Sequence, residues 1–244
     1  MGRLSALLFP PRCGACGDLL DWYDAPRRGD VLCEKCLAEW KSEQLRTCER
    51  CAKVLHDCTC MPDALRKSKC RSLGKVVWYL HGRRDVVQNR LIYRIKDTRE
   101  RRVVDLLART LLPILKRMLE ENSPVTDGAV LTYLPRGLGA RLRTGTDQAR
   151  ELALALSRLS GVPCVRLLRR RVQKSRSQKQ LGAKARRANA SAAFGLTRAA
   201  REIPRAVILV DDIVTTGESM AACVRLLRTA GAEAVFGLTV AVDE

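Results

Sequence analysis

Residues 207–219 read VILVDDIVTTGES, and no other stretch constrains the fold as much. The run 207–210 is apolar and mostly β-branched, as in a strand buried on both faces of a parallel sheet. Asp211 and Asp212 stand where that strand is expected to end, and Thr215, Thr216 and Gly217 follow as a short turn. Residues 218–230 predict a helix, with Met220, Val224 and Leu227 at helical spacing and Gly231 as a C-terminal stop. In an open α/β sheet, ligands bind just beyond the carboxyl ends of the strands. A small-residue turn opening a helix offers backbone N–H groups and the positive end of the dipole to an anion. Paired carboxylates beside it suit hydroxyl groups, or a Mg²⁺ ion that also touches phosphate. The combination fits a sugar phosphate. Two acids at a strand end can also merely cap the next helix, and a lone Thr-Thr-Gly is common. Specificity lies in the contiguous order: apolar strand, two acids, short hydroxyl-bearing turn, amphipathic helix.

The cysteines form a second pattern. Cys13 and Cys16, then Cys33 and Cys36, make two close pairs, as in a zinc ribbon. Cys48 and Cys51, then Cys58 and Cys60, supply a second set of four. Each close pair can put two thiolates on one side of a knuckle, and two knuckles complete a tetrahedron around Zn²⁺. Pairing in chain order is expected; an interleaved arrangement, or His56 replacing one thiol, is the alternative. With every position filled by sulfur, such zinc is structural. Residues 13–60 hold few large apolar side chains, so metal is expected to hold this piece together, around a small satellite core of Trp22, Leu37 and Trp40. Cys70, Cys164 and Cys223 fall outside the pattern; Cys164 and Cys223 read as small buried hydrophobes.

Elsewhere, strands are expected over 76–80, 129–134, 162–168, 203–210 and 234–242, and helices over 85–96, 101–120 and 148–160. Pro113 is expected to kink or split the second of these helices. The alternation predicts a mostly parallel sheet with right-handed crossovers. Composition shifts near residues 61–73 divide the chain into a cysteine-rich double zinc-ribbon domain, 1–72, and an α/β domain, 73–244. No apolar run approaches the ~20 residues of a membrane span. The stretch 4–9 is short for a signal-peptide core, so a cytoplasmic protein is expected.

Of a net charge of +19, +13 lies between Arg136 and Arg187. This concentration implies a polyanionic partner. Two loops carry it. In 135–148, PRGLGARLRTGTDQ, the arginines Arg136, Arg141 and Arg143 can reach phosphate, and glycines allow close backbone approach. In 169–187, Arg169, Arg170, Arg171, Lys174, Arg176 and Lys179 form a long basic stretch with weak periodicity, expected to act as a lid or as a nucleic-acid contact. Aromatics are only 4% of residues, which favours contact with a nucleic-acid backbone over base stacking.

The order of these pieces resembles the ComF family, the ComFC- and GntX-like proteins associated with DNA uptake and natural transformation in bacteria. The resemblance rests on the cysteine pairs, Lys96 after an apolar helix, Arg143 to Gln148, the stretch from Gln178 through Leu181, Arg186 and Asn189 to Phe194, and Asp211 to Ser219. The family often has Arg-Gly-Phe-Asn-Gln in the first loop; here Thr146 replaces the aromatic and one residue is added. The stretch 207–219 is similar to the phosphoribosyl pyrophosphate (PRPP) motif of type I phosphoribosyltransferases, and the resemblance implies a type I phosphoribosyltransferase-like fold behind an N-terminal zinc-ribbon module, binding PRPP with Mg²⁺. Asp211 and Asp212 would hold the ribose hydroxyls and the surroundings of the metal, and would be the catalytic acids. Thr215, Thr216, Gly217, Glu218 and Ser219 would hold the 5′-phosphate. Arg136, Arg141 or Arg143 would neutralise the pyrophosphate.

Two functions follow as expectations. One is a PRPP-binding protein of natural transformation that also binds single-stranded DNA, with a competence helicase as a possible partner. The other is an active phosphoribosyltransferase working on a nucleobase-like acceptor in nucleotide metabolism. No nucleophilic triad is evident, and transfer from PRPP needs none, because charge stabilisation and positioning carry such chemistry.

Overall fold

The computed structural model describes residues 10–21, 29–97, 100–137, 147–171 and 193–243. After the first cysteine pair comes α1 (Glu34–Gln44). A 3₁₀ turn, Leu55–Asp57, lies inside the second cysteine set, and the short α2 (Asp63–Lys67) leaves it. Then follow β1 (Leu73–Gly74), β2 (Val77–Tyr79), α3 (Val87–Asp97) and α4 (Arg101–Glu121). After these come β3 (Val130–Tyr133), α5 (Gln148–Ser160), β4 (Leu168–Arg170) and β5 (Phe194–Leu196). The last elements are β6 (Ala206–Val214), α6 (Glu218–Thr229) and β7 (Ala234–Asp243).

The central sheet is parallel throughout. β6 lies between β3 and β7, and β1 and β2 pair in succession along the far edge of β7. The pleat sends alternate residues to opposite faces. Ile208, Val210, Phe236, Leu238 and Val240 face one apolar layer with α3, α4 and α5. Val207, Leu209 and Val235 face the other, with Met220, Cys223, Val224 and Leu227 of α6. Both faces are covered, so β6 and β7 need near-continuous apolar sequence.

Several expectations change. The strand expected over 162–168 is reduced to a single bridge from Cys164 to Leu131, after which β4 and β5 form a separate antiparallel ribbon. Of the two outcomes expected at Pro113, kinking or splitting, splitting does not occur: one helix runs from Arg101 to Glu121. The proline sits on the solvent side, where freed carbonyls can turn to water, while Leu111, Ile114 and Leu115 stay buried. The satellite core does not form either. Trp40 joins the main apolar layer beside α3 and α4, Leu37 is exposed, and Trp22 lies outside the described residues.

Candidate functional site

The two cysteine groups assemble in chain order. Cys13, Cys16, Cys33 and Cys36 bring their sulfurs within 4.8 Å of one another, as do Cys48, Cys51, Cys58 and Cys60. A tetrahedron of sulfurs about 2.3 Å from zinc has edges of about 3.8 Å. The Sγ atoms of Cys16 and Cys33 are 3.8 Å apart, and those of Cys51 and Cys58 3.5 Å. Burial pushes the Cys13 thiol up, but amides of Cys33, Cys16 and Ala15 outweigh it and bring it down to about 7. In Cys48 the amides of Arg50 and Cys51 and neighbouring thiols do the same against burial, again to about 7. Each group can therefore hold one zinc ion. His56 is not among the sulfur-group partners; its Nε2 lies 3.5 Å from Asp57 and its carbonyl accepts from Arg117.

The clusters sit on opposite faces of the sheet. Cys13 and Cys36 belong to the layer of α3 and α4, and Cys48 and Cys58 to the layer of α6. Arg94 of α3 donates through Nε to the Gly14 carbonyl at 3.3 Å. Beneath the second cluster lies Lys75, only 2% exposed, whose ammonium donates to the carbonyls of Cys58, at 2.9 Å, and Cys60.

The acids do not end the strand as expected. β6 continues through Asp211 and Asp212 to Val214, because β7 keeps pairing with it, Asp211 opposite Thr239 and Val214 opposite Val242. On its other side the partner is shorter: β3 stops at Tyr133, opposite Val210. Both carboxylates therefore sit on a rim with a strand on one side only. Burial, and then the charge of Asp212, push the Asp211 carboxyl well above the usual carboxylate range, against the pull of Lys96. Asp212 Oδ2 is buried, makes no hydrogen bond among the described residues and lies 3.5 Å from the Lys96 ammonium. Lys96 comes from the last turn of α3 and was not among the expected site residues; its one signal is a basic residue closing an apolar helix.

Past Val214 the chain exposes Thr215 and Thr216, turns at Gly217 in the left-handed region (φ +74°) and enters α6. Gly217 caps the helix with no side-chain hydrogen bond, and Ser219 is exposed in the first turn beside Glu218. Hydroxyls and first-turn N–H groups thus face the same end of the sheet as the acids, an arrangement that attracts an anion. The module that holds the second cluster covers this loop, because Pro62 and Leu65 pack on Gly217.

Arg136 follows β3 at the same end of the sheet and is half-buried. Arg141, Arg143, Lys174, Arg176 and Lys179 lie outside the described residues. Arg169 and Arg170 are in β4 and Arg171 follows it, so part of the expected loop is an ordered ribbon. Arg170 lies 5.3 Å from the centre of the Phe194 ring and borders Gly137, in the segment carrying Arg136.

Residues 142–244 match the phosphoribosyl transferase domain family. Over 94 residues the chain is 39% identical to Competence protein F of Haemophilus influenzae. That stretch covers 38% of this chain and 41% of the relative, so the alignment spans less than half of either protein. With its parallel sheet, its strand–acid–turn–helix rim and its two four-cysteine groups, the chain has a ComF-like phosphoribosyltransferase fold joined to an N-terminal module suited to zinc.

Proposed function

We propose that the chain is a PRPP-binding, phosphoribosyltransferase-like protein of DNA uptake that acts in the cytoplasm, with two units, 1–72 and 73–244. Asp211 and Asp212 receive the ribose hydroxyls, the turn from Thr215 to Ser219 receives the 5′-phosphate, and Arg136, Arg141 and Arg143 face the pyrophosphate. The observation that carries this reading is the buried Asp212 Oδ2, to which no described residue donates a hydrogen bond and which has the Lys96 ammonium 3.5 Å away. A buried carboxylate oxygen with one cation at that distance and no hydrogen bond from a described residue is still under-satisfied, and a further donor or cation lowers its cost. A ribose hydroxyl, or Mg²⁺ carried by the pyrophosphate, supplies one. Carboxylate oxygens suit Mg²⁺, which would offset the charge of the diphosphate. As pyrophosphate leaves, positive charge grows at the anomeric carbon; half-buried carboxylates close to it stabilise that charge.

The link to DNA uptake comes from the relative's name and from the basic segment, through which the chain would bind single-stranded DNA and work beside a competence helicase. Among the described residues, no helix is long and apolar enough to cross a membrane. The domain match favours a second reading as well: turnover on a nucleobase-like acceptor. Calorimetry with PRPP and Mg²⁺ tests the first reading. Binding that survives Asp211→Asn with Asp212→Asn overturns the site. Pyrophosphate release on adding an acceptor tests the second.

A further inference from the structure

The strand pleat divides the run Arg169, Arg170, Arg171. Arg170 lies opposite Phe194 in the ribbon and shares its face, against the ring and Gly137. Arg169 and Arg171 point the other way. Arg169 pairs with Gly195, and the Arg171 guanidinium lies over the face of Gly195 where a side chain would stand. Where the ribbon begins and ends, Arg166, Arg169, Leu196, Thr197 and Arg198 line an open hollow of about 500 Å³. Its walls are tied together: Arg169 Nε donates to the Leu196 carbonyl at 2.9 Å, and Thr197 Oγ1 to the Arg166 carbonyl at 2.6 Å.

We propose that this hollow anchors the phosphodiester backbone of a single-stranded nucleic acid. The inference rests on the single-strand binding proposed above and assigns it to a surface separate from the sugar-phosphate rim. Guanidinium forks match phosphate oxygens, and none of the described residues lining the hollow is acidic. Arg166, Arg169 and Arg198 are all exposed. Exposed charges hold a lone phosphate weakly, because water and salt screen each pair. A polymer gains at every contact because it releases condensed counterions. The geometry therefore favours a chain of phosphates over a free anion. None of the described residues lining the hollow is aromatic, which favours contact with the backbone over stacking on bases.

The test is fluorescence anisotropy with a labelled oligothymidylate across a salt series, comparing wild type with Arg166→Glu/Arg198→Glu and with the milder Arg166→Gln/Arg198→Gln. Each phosphate contact contributes about 0.7 to the log–log salt slope on single strands. Losing two contacts should flatten the slope by about 1.4 and weaken binding at moderate salt at least tenfold. PRPP binding by calorimetry should not change. If wild type binds the oligonucleotide and both variants keep its slope, the hollow is not the anchor. Loss of inorganic pyrophosphate binding in the variants, with the oligonucleotide slope intact, would overturn the proposal in the same way. If wild type does not bind the oligonucleotide, single-strand binding itself falls, whatever PRPP does.

Discussion

Leu65 lies against Gly217: a Cβ on that glycine would stand 3.1 Å from Leu65 Cγ and 3.2 Å from Pro62 Cβ. The two residues come from distant parts of the sequence, one just past the last cysteine of the second cluster and the other in the proposed phosphate turn. The cysteine module thereby buttresses the loop that opens α6.

Gly217→Ala is expected to cost on the order of 2–3 kcal/mol, combining a left-handed backbone with the clash against Leu65 and Pro62. Gly161 is the control. It is also left-handed, at φ +79°, but nothing lies within 4 Å of its missing Cβ. Gly161→Ala should cost only about 1 kcal/mol. Urea unfolding of the two variants measures the difference; equal costs would mean that the contact with the module contributes nothing.

Asp211 gives a pH-dependent prediction. Its carboxyl is held above the usual range by burial and by the charge of Asp212. A raised folded-state value means that the folded state binds the proton more tightly than the unfolded chain. The resulting stabilisation is present below the unfolded value of about 3.9 and is lost as pH rises through the folded value. Above the unfolded value the burial of this acid therefore costs stability, and Asp211→Asn should raise the urea midpoint at neutral pH. The gain should vanish in acid. The same variant should lose PRPP binding, so stability and affinity move in opposite directions.

Lys96→Met removes the cation 3.5 Å from Asp212 Oδ2. It leaves a buried carboxylate without its neighbour and takes one positive charge from an anion site, an effect of about 1–3 kcal/mol. PRPP affinity should fall by about tenfold or more. Lys96→Arg should keep most of it. Calorimetry on both variants decides; equal losses would point to packing in place of charge.

Elemental analysis should find about two zinc ions per chain, and Cys58→Ser should leave about one. Lys75→Met should weaken the second site about 10- to 100-fold without touching the first, because its ammonium fixes the carbonyls of Cys58 and Cys60. Competition with a chromophoric chelator reads both sites. Unchanged zinc release in the variant would confine Lys75 to a packing role.

What could be read from the linear chain was local chemistry. The strand–acid–turn–helix order of 207–230 and the spacing of the eight cysteines specify their structures over short distances, because periodicity and ligand geometry act between near neighbours. The element order and parallel sheet followed from the same patterns. Tertiary pairing decided the rest. β6 runs past its acids to Val214 only because β7 accompanies it, while β3 stops short and leaves the rim open. Trp40 gains a place in the main core only when the first cluster docks on α3 and α4. One run of three arginines faces two ways because β5 returns to pair with β4 and fixes the pleat. These outcomes depend on contacts between residues far apart in sequence, which composition and spacing do not encode.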